Sequence, residues 1–206
     1  MPRHGGGPPI FVSIDIDAPM EEVWRLTQDP ALHPRWDLRF SSIEPVAGLP
    51  GGGQRFRYER RLPGHVLAGT GTSVGEKRRP DGTRTSALRF TTPDRLSPLG
   101  DGRGYWRYEP LADGVRFTTG YDYRPGWGGR ADRLLLRRVI GWMTAWSFDR
   151  LRIWAERGEE PERWPVRSVL WVWRPERPRA ARCRRRAAGG LVMEAAPETL
   201  DRLEAP

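Results

Sequence analysis

Cysteine is almost missing from this 206-residue sequence. Cys183 stands alone, which excludes an internal disulfide framework and a multi-cysteine metal site. Histidine is nearly as scarce. His4, His33 and His65 show no spacing to Ser, Cys or Asp that suggests a catalytic triad, and no metal-ligand cluster. No early segment combines a basic start, an apolar run and a small-residue cleavage site, so no signal peptide is expected. No apolar run is long enough to span a bilayer, because Arg137 and Arg138 interrupt the most apolar stretch. Lys77 is the single lysine among 35 basic residues, a bias that weakens any argument from arginine content alone. These absences make a cytoplasmic protein without metal or cofactor the expectation.

The chain is instead rich in turns and rings. It holds 24 Gly and 20 Pro against 37% apolar residues, so part of it is expected to be irregular. Ten Trp still argue for a packed core. The length suits one domain with an extension.

The longest segment that reads as one helix is residues 129–157, closed by Gly158 and Pro161. At 100° per residue, one arc gathers Leu135, Leu136, Val139, Ile140, Trp142, Met143, Trp146, Leu151, Ile153 and Trp154. Such a helix needs a broad apolar partner. Residues 10–17 alternate, with Ile10, Val12, Ile14 and Ile16 on one face of a strand. Pro19 with Glu21 and Glu22 starts a short helix, and Asp29-Pro30 opens a second helix or turn that ends near Pro34. From Phe40 to Tyr123, strands are separated by turns such as Pro80-Asp-Gly-Thr and Ala112-Asp-Gly. One strand, two short helices, about six hairpin-linked strands and a long helix predict an α+β domain. Its antiparallel sheet of about seven strands curves around that helix. The expected boundaries are a flexible N-terminus at 1–9, the domain at 10–158, and an Arg/Pro-rich, partly disordered extension at 159–206.

This order resembles the START/Bet v 1-like (SRPBCC) superfamily, in its polyketide cyclase/dehydrase and lipid-transport-like branch. The resemblance is carried by Ile14-Asp-Ile-Asp-Ala-Pro-Met-Glu-Glu-Val-Trp24 and by Asp29-Pro with His33-Pro-Arg-Trp-Asp37. Tyr105-Trp-Arg-Tyr-Glu-Pro, Asp113-Gly-Val-Arg-Phe-Thr and the long helix complete it, over residues 10–157. It implies a helix-grip fold with a cavity between sheet and long helix that takes lipids, sterols, polyketides or hormones. Some members catalyse cyclisation or dehydration. The superfamily shares no catalytic motif, so no catalytic residue is carried over.

On the expected inward faces stand Trp36, Phe56, Tyr58, Trp106, Tyr108, Phe117, Tyr121, Met143 and Trp146. They either fill a core or line a small-molecule cavity. Arg150 falls inside the apolar arc, where a cation must be paired or reach water. It either anchors a ligand carboxylate, phenolate or phosphate, or pairs with Asp37, Glu59 or Asp122, or snorkels outward. His33, before Pro34, reads as a surface turn residue. Gly69-Thr-Gly-Thr lacks the following helix and the Lys-Ser/Thr of a phosphate loop, and reads as strand glycines.

The extension holds nine Arg against Glu176 alone between residues 163 and 186. Three functions are therefore open: binding of a hydrophobic small molecule, a polyketide cyclase/dehydratase-like enzyme using the same cavity, or a basic module. The last would contact nucleic acid or anionic membrane through the extension.

Overall fold

Alternating branched and polar residues make the first strand, β1 (Ile10–Ile16), whose even-numbered side chains enter the core. The computed structural model describes residues 7–49, 52–76, 79–187, 189 and 192–206; His4, Lys77 and most of the expected flexible N-terminus lie outside them. Two short helices follow, α1 (Met20–Gln28) and α2 (His33–Trp36). Six strands come next: β2 (Ser42–Leu49), β3 (Gly53–Leu62), β4 (His65–Glu76), β5 (Arg84–Thr91), β6 (Leu99–Leu111) and β7 (Gly114–Pro125). All seven form one curved antiparallel sheet in the order β1-β7-β6-β5-β4-β3-β2. A short α3 (Gly129–Ala131) and a π-turn (Asp132–Leu136) lead into the long α4 (Arg137–Arg157). Gly158 ends α4 in the left-handed conformation, its N–H donating to the Trp154 carbonyl at 2.9 Å.

The start of the long helix departs from its expected apolar arc. Leu135 and Val139 of that arc face solvent, as does Leu134 outside it, while Arg137 is buried. Arg137 Nε donates to Asp132 Oδ2 at 2.9 Å, and Nη1 donates to Asp122 Oδ1 at 3.2 Å. A buried guanidinium must meet carboxylates, and the π-turn supplies the rotation that lets it. Further along, the space between helix and sheet is filled. Phe148 stacks on Phe117 with ring centroids 4.5 Å apart, beside the fully buried Trp36 and Trp146.

The extension, expected to stand partly disordered, packs against the domain over its described residues. Asp149 on α4 is wholly buried and accepts from Arg152 Nε, the Arg179 backbone N–H and Arg182 Nη1, each at 2.7 Å. Arg184 then exchanges backbone hydrogen bonds of 2.9 and 2.8 Å with Ser13, on the free edge of β1. Beyond it the chain passes behind the sheet. Tyr105 donates to the Val192 carbonyl at 2.9 Å, Leu200 and Leu203 pack on Ala87, and Thr72 donates to the Glu204 carbonyl at 2.7 Å. Within this strap α5 (Thr199–Arg202) is the last helix. Several arginines of the basic run are turned to partners within the chain: Arg174 to Glu176, Arg182 to Asp149, Arg184 to Asp15.

Cys183 is pinned under the strap, its Sγ 3.1 Å from the Ala145 carbonyl, and burial pushes its thiol well above the ordinary range. A maleimide at neutral pH is therefore expected to label the native protein at least about 100-fold more slowly than the unfolded chain. Labelling at the unfolded rate would mean that the strap is not held.

Candidate functional site

A cavity of about 140 Å³ lies against the concave face of the sheet. It is not the expected gap between sheet and α4, for no residue of α4 lines it. Its cover is the segment from α1 to β2, through Thr27, Gln28, Pro30, His33, Arg39, Phe40 and Ile43. Its floor is the sheet, from Phe56 and Tyr58 on β3 across Leu88 and Phe90 to Trp106 and Tyr121. The stack of Phe148 on Phe117 closes the space under the helix and leaves the hollow beside it.

Of the nine apolar candidates, Phe56, Tyr58, Trp106 and Tyr121 form its walls. The other five do not. Trp36 is buried behind His33, its indole N–H donating to the Leu26 carbonyl at 2.9 Å. Tyr108 is held under α1 by hydrogen bonds to Thr27 Oγ1 at 2.7 Å and from Gln28 Nε2 at 2.9 Å. Phe117 and Trp146 are fully buried core, and Met143 packs against that core from α4. Arg150 is likewise absent from the cavity walls. It pairs with none of Asp37, Glu59 and Asp122, and its Nε and Nη2 donate to the Pro161 carbonyl at 2.9 and 2.6 Å. Burial pushes its guanidinium down to about 10.

The aromatic floor depends on glycine. Phe56 and Tyr58 lie across from Gly71 and Gly69 on β4. A Cβ at either glycine would collide with the facing ring. The two glycines thus let the rings lie flat over the neighbouring strand.

The polar end of the cavity was not expected. His33 is buried rather than a surface turn residue. Its ring stacks on Trp36 at 4.9 Å and meets Trp106 edge-on at the same distance. Its Nε2 lies 3.1 Å from Asp37 Oδ2. Arg39 grips the same carboxylate, Nε donating to Oδ1 at 2.9 Å and Nη2 to Oδ2 at 2.6 Å. Burial alone would raise the Asp37 carboxyl, but the Arg39 charge and the hydrogen bonds from His33 and Arg39 hold it well below the usual carboxylate range. Burial pushes the His33 imidazole below its ordinary value against the pull of Asp37, so it is neutral at pH 7. The Asp37–Arg39 pair is balanced, and a bare ligand charge inside the cavity would lack its own counter-charge.

An open groove of about 470 Å³ adjoins the cavity and shares its walls Pro30, Phe40 and Ile43. Arg35, Arg60, Arg150 and Glu162 also line the groove.

Residues 10–156 match the sequence profile of the family described as polyketide cyclase / dehydrase and lipid transport. A Bacillus subtilis protein named "Uncharacterized membrane protein YndG" is 40% identical over 170 residues, or 80% of this chain. The match spans only 63% of that relative's length. Among solved structures, Ara h 8.0201 superposes with a TM-score of 0.54 at 12% identity, covering 71% of this chain and 96% of its own. The di-domain ARO/CYC StfQ from the steffimycin biosynthetic pathway gives 0.55 at 14%, covering 75% and 51%. A Chromobacterium violaceum protein gives 0.51 at 18%, covering 72% and 96%. At these identities the structures speak for the fold alone. Among the described residues no helix is long and apolar enough to cross a membrane.

Proposed function

The chain belongs to the polyketide cyclase/dehydrase and lipid transport family, and we propose that it binds a hydrophobic small molecule in the cavity between the sheet and the α1–β2 segment. The observation that carries this is the hollow itself, whose surface is mostly apolar, with Phe40, Phe56, Tyr58, Phe90 and Trp106 among its walls. Its volume of about 140 Å³ suits one aromatic ring or a short chain, since an apolar cavity of about 150 Å³ accepts benzene. A longer ligand extends past Phe40 and Ile43 into the groove. The part held inside is uncharged, because Asp37 and Arg39 already balance each other. Gln28 leaves little hydrogen bonding to spare: its Nε2 donates to Tyr108, and its Oε1 accepts from Ser86 at 3.4 Å.

Titration with 4-ethylphenol, followed by NMR of the indole N–H signals, tests this reading. Trp106→Ala is expected to weaken binding about tenfold through the lost wall. Trp142→Ala, on α4 outside the cavity, is expected to leave the affinity unchanged. Equal loss in both variants would count against the cavity.

A second reading, a polyketide cyclase/dehydratase-like enzyme, is favoured by one feature. His33 is a neutral imidazole at the cavity wall, oriented by a buried carboxylate, which is the arrangement of a general base. A cytoplasmic setting accompanies either reading and is supported by the near absence of cysteine. The basic-module reading has less support, since Arg174, Arg182 and Arg184 of the nine arginines in the run are paired with carboxylates within the chain.

A further inference from the structure

Among the described residues two arginines are buried, Arg137 and Arg150. Arg137 grips Asp122 and Asp132, and the half-buried Arg39 and Arg152 also meet carboxylates. Arg150 is only 8% exposed, yet among the described residues it forms no ion pair within 4.0 Å. Both of its hydrogen bonds go to the single carbonyl oxygen of Pro161, and among the described residues its Nη1 has no hydrogen-bond partner. The guanidinium forms part of the wall of the groove beside the cavity, as does Arg60, which also forms no ion pair among the described residues. The acids that face the groove are already engaged, Asp37 by Arg39 and His33 and Glu162 by Arg35. The groove therefore holds two cations that no carboxylate contacts directly among the described residues, with Glu162 and Asp37 acting on Arg150 only through space. It opens beside an apolar hollow and shares the walls Pro30, Phe40 and Ile43 with it.

We infer that this groove receives the anionic head of the ligand, a carboxylate or a phosphate, through Arg150 and Arg60, so that the ligand is an amphiphile. The inference rests on the cavity reading for the apolar end. The division follows from the charges. The hollow disfavours a charge because its one guanidinium is spent on Asp37, whereas the groove has guanidinium N–H groups free for an oxyanion and stays open to water. The bonds from Arg150 to Pro161 hold the fork in position before a ligand arrives.

Isothermal titration of the full chain with decanol, decanoate and decyl phosphate tests this. Wild type is expected to bind at least one of the two anions about tenfold or more tighter than decanol, with the gap narrowing as salt rises. The anion with the larger advantage identifies the head as carboxylate or phosphate. Arg60→Gln is expected to remove most of that advantage, weakening the anions far more than decanol, as is Arg150→Met. Arg60 makes no bond that the fold needs, so its variant decides the matter if Arg150→Met unfolds. Saturable decanol binding with no preference for either anion would overturn the groove site while the cavity reading stands. An anion preference that survives Arg60→Gln would overturn it as well. Failure of all three ligands to bind would remove both readings.

Discussion

Asp149→Ala is expected to destabilise the protein by about 3–5 kcal/mol, the usual cost of removing one partner from a buried ionic cluster. For a chain of this size that is a fall in melting temperature of roughly 10 °C. The carboxylate is wholly buried and holds three donors at once: Arg152 on its own helix, and Arg179 and Arg182 in the strap. Without it, the Arg179 N–H and one face of the Arg152 guanidinium lose their acceptor in a site closed to water. The loss has a local signature that a general loss of packing would not produce. The strap should leave α4 first, exposing Cys183 to maleimide while the far-UV dichroism of the domain persists. Asp149→Asn keeps an acceptor but loses the charge, and should fall between the two. A melting temperature within a degree or two of wild type for Asp149→Ala would show that the strap does not depend on this residue.

Leu88→Trp carries the larger functional effect. Leu88 sits on the concave face of β5, opposite Ser73 on β4 and Gly104 on β6, and its side chain is part of the cavity floor. An indole there occupies the hollow that the ligand needs. Affinity for 4-ethylphenol should drop at least about 100-fold, because a closely packed interior has no other room for a ring. Stability should change little, since overpacking costs about 1–3 kcal/mol only where no void exists to take the added atoms. Binding retained in a stably folded Leu88→Trp protein would place the ligand elsewhere.

The strands could be read from the sequence because their signal is local. Phe56 and Tyr58 alternate with arginines, and Gly69 and Gly71 stand where flat rings need them. The end of the long helix was equally plain in Gly158. Other features were not legible because the partners that fix them are remote. His33 looks like a turn residue before Pro34. Its burial depends on Trp36 and Phe40 nearby and on Trp106, which β6 brings from far along the chain. The rotation that exposes Leu134 and Leu135 follows from Arg137 finding Asp122 on β7, which a helical projection does not contain. The extension reads as partly disordered from its Arg and Pro content, yet its described residues meet remote partners: Asp149 takes Arg179 and Arg182, and Tyr105 and Thr72 on the sheet take Val192 and Glu204. The cover of the cavity is not legible for a related reason. The arc of α4 showed an apolar face but not that Phe148, outside that arc, would fill the space beneath it.

The proposed function puts the ligand between the sheet and the α1–β2 segment, beside α4 rather than under it. Intermolecular NOEs from bound 4-ethylphenol test this most directly. Contacts are expected from the ligand's ring to Tyr58, Leu88 and Trp106, and none to Met143 or Trp146. Contacts to those two α4 residues, or saturable binding with no contact to Trp106, would contradict it.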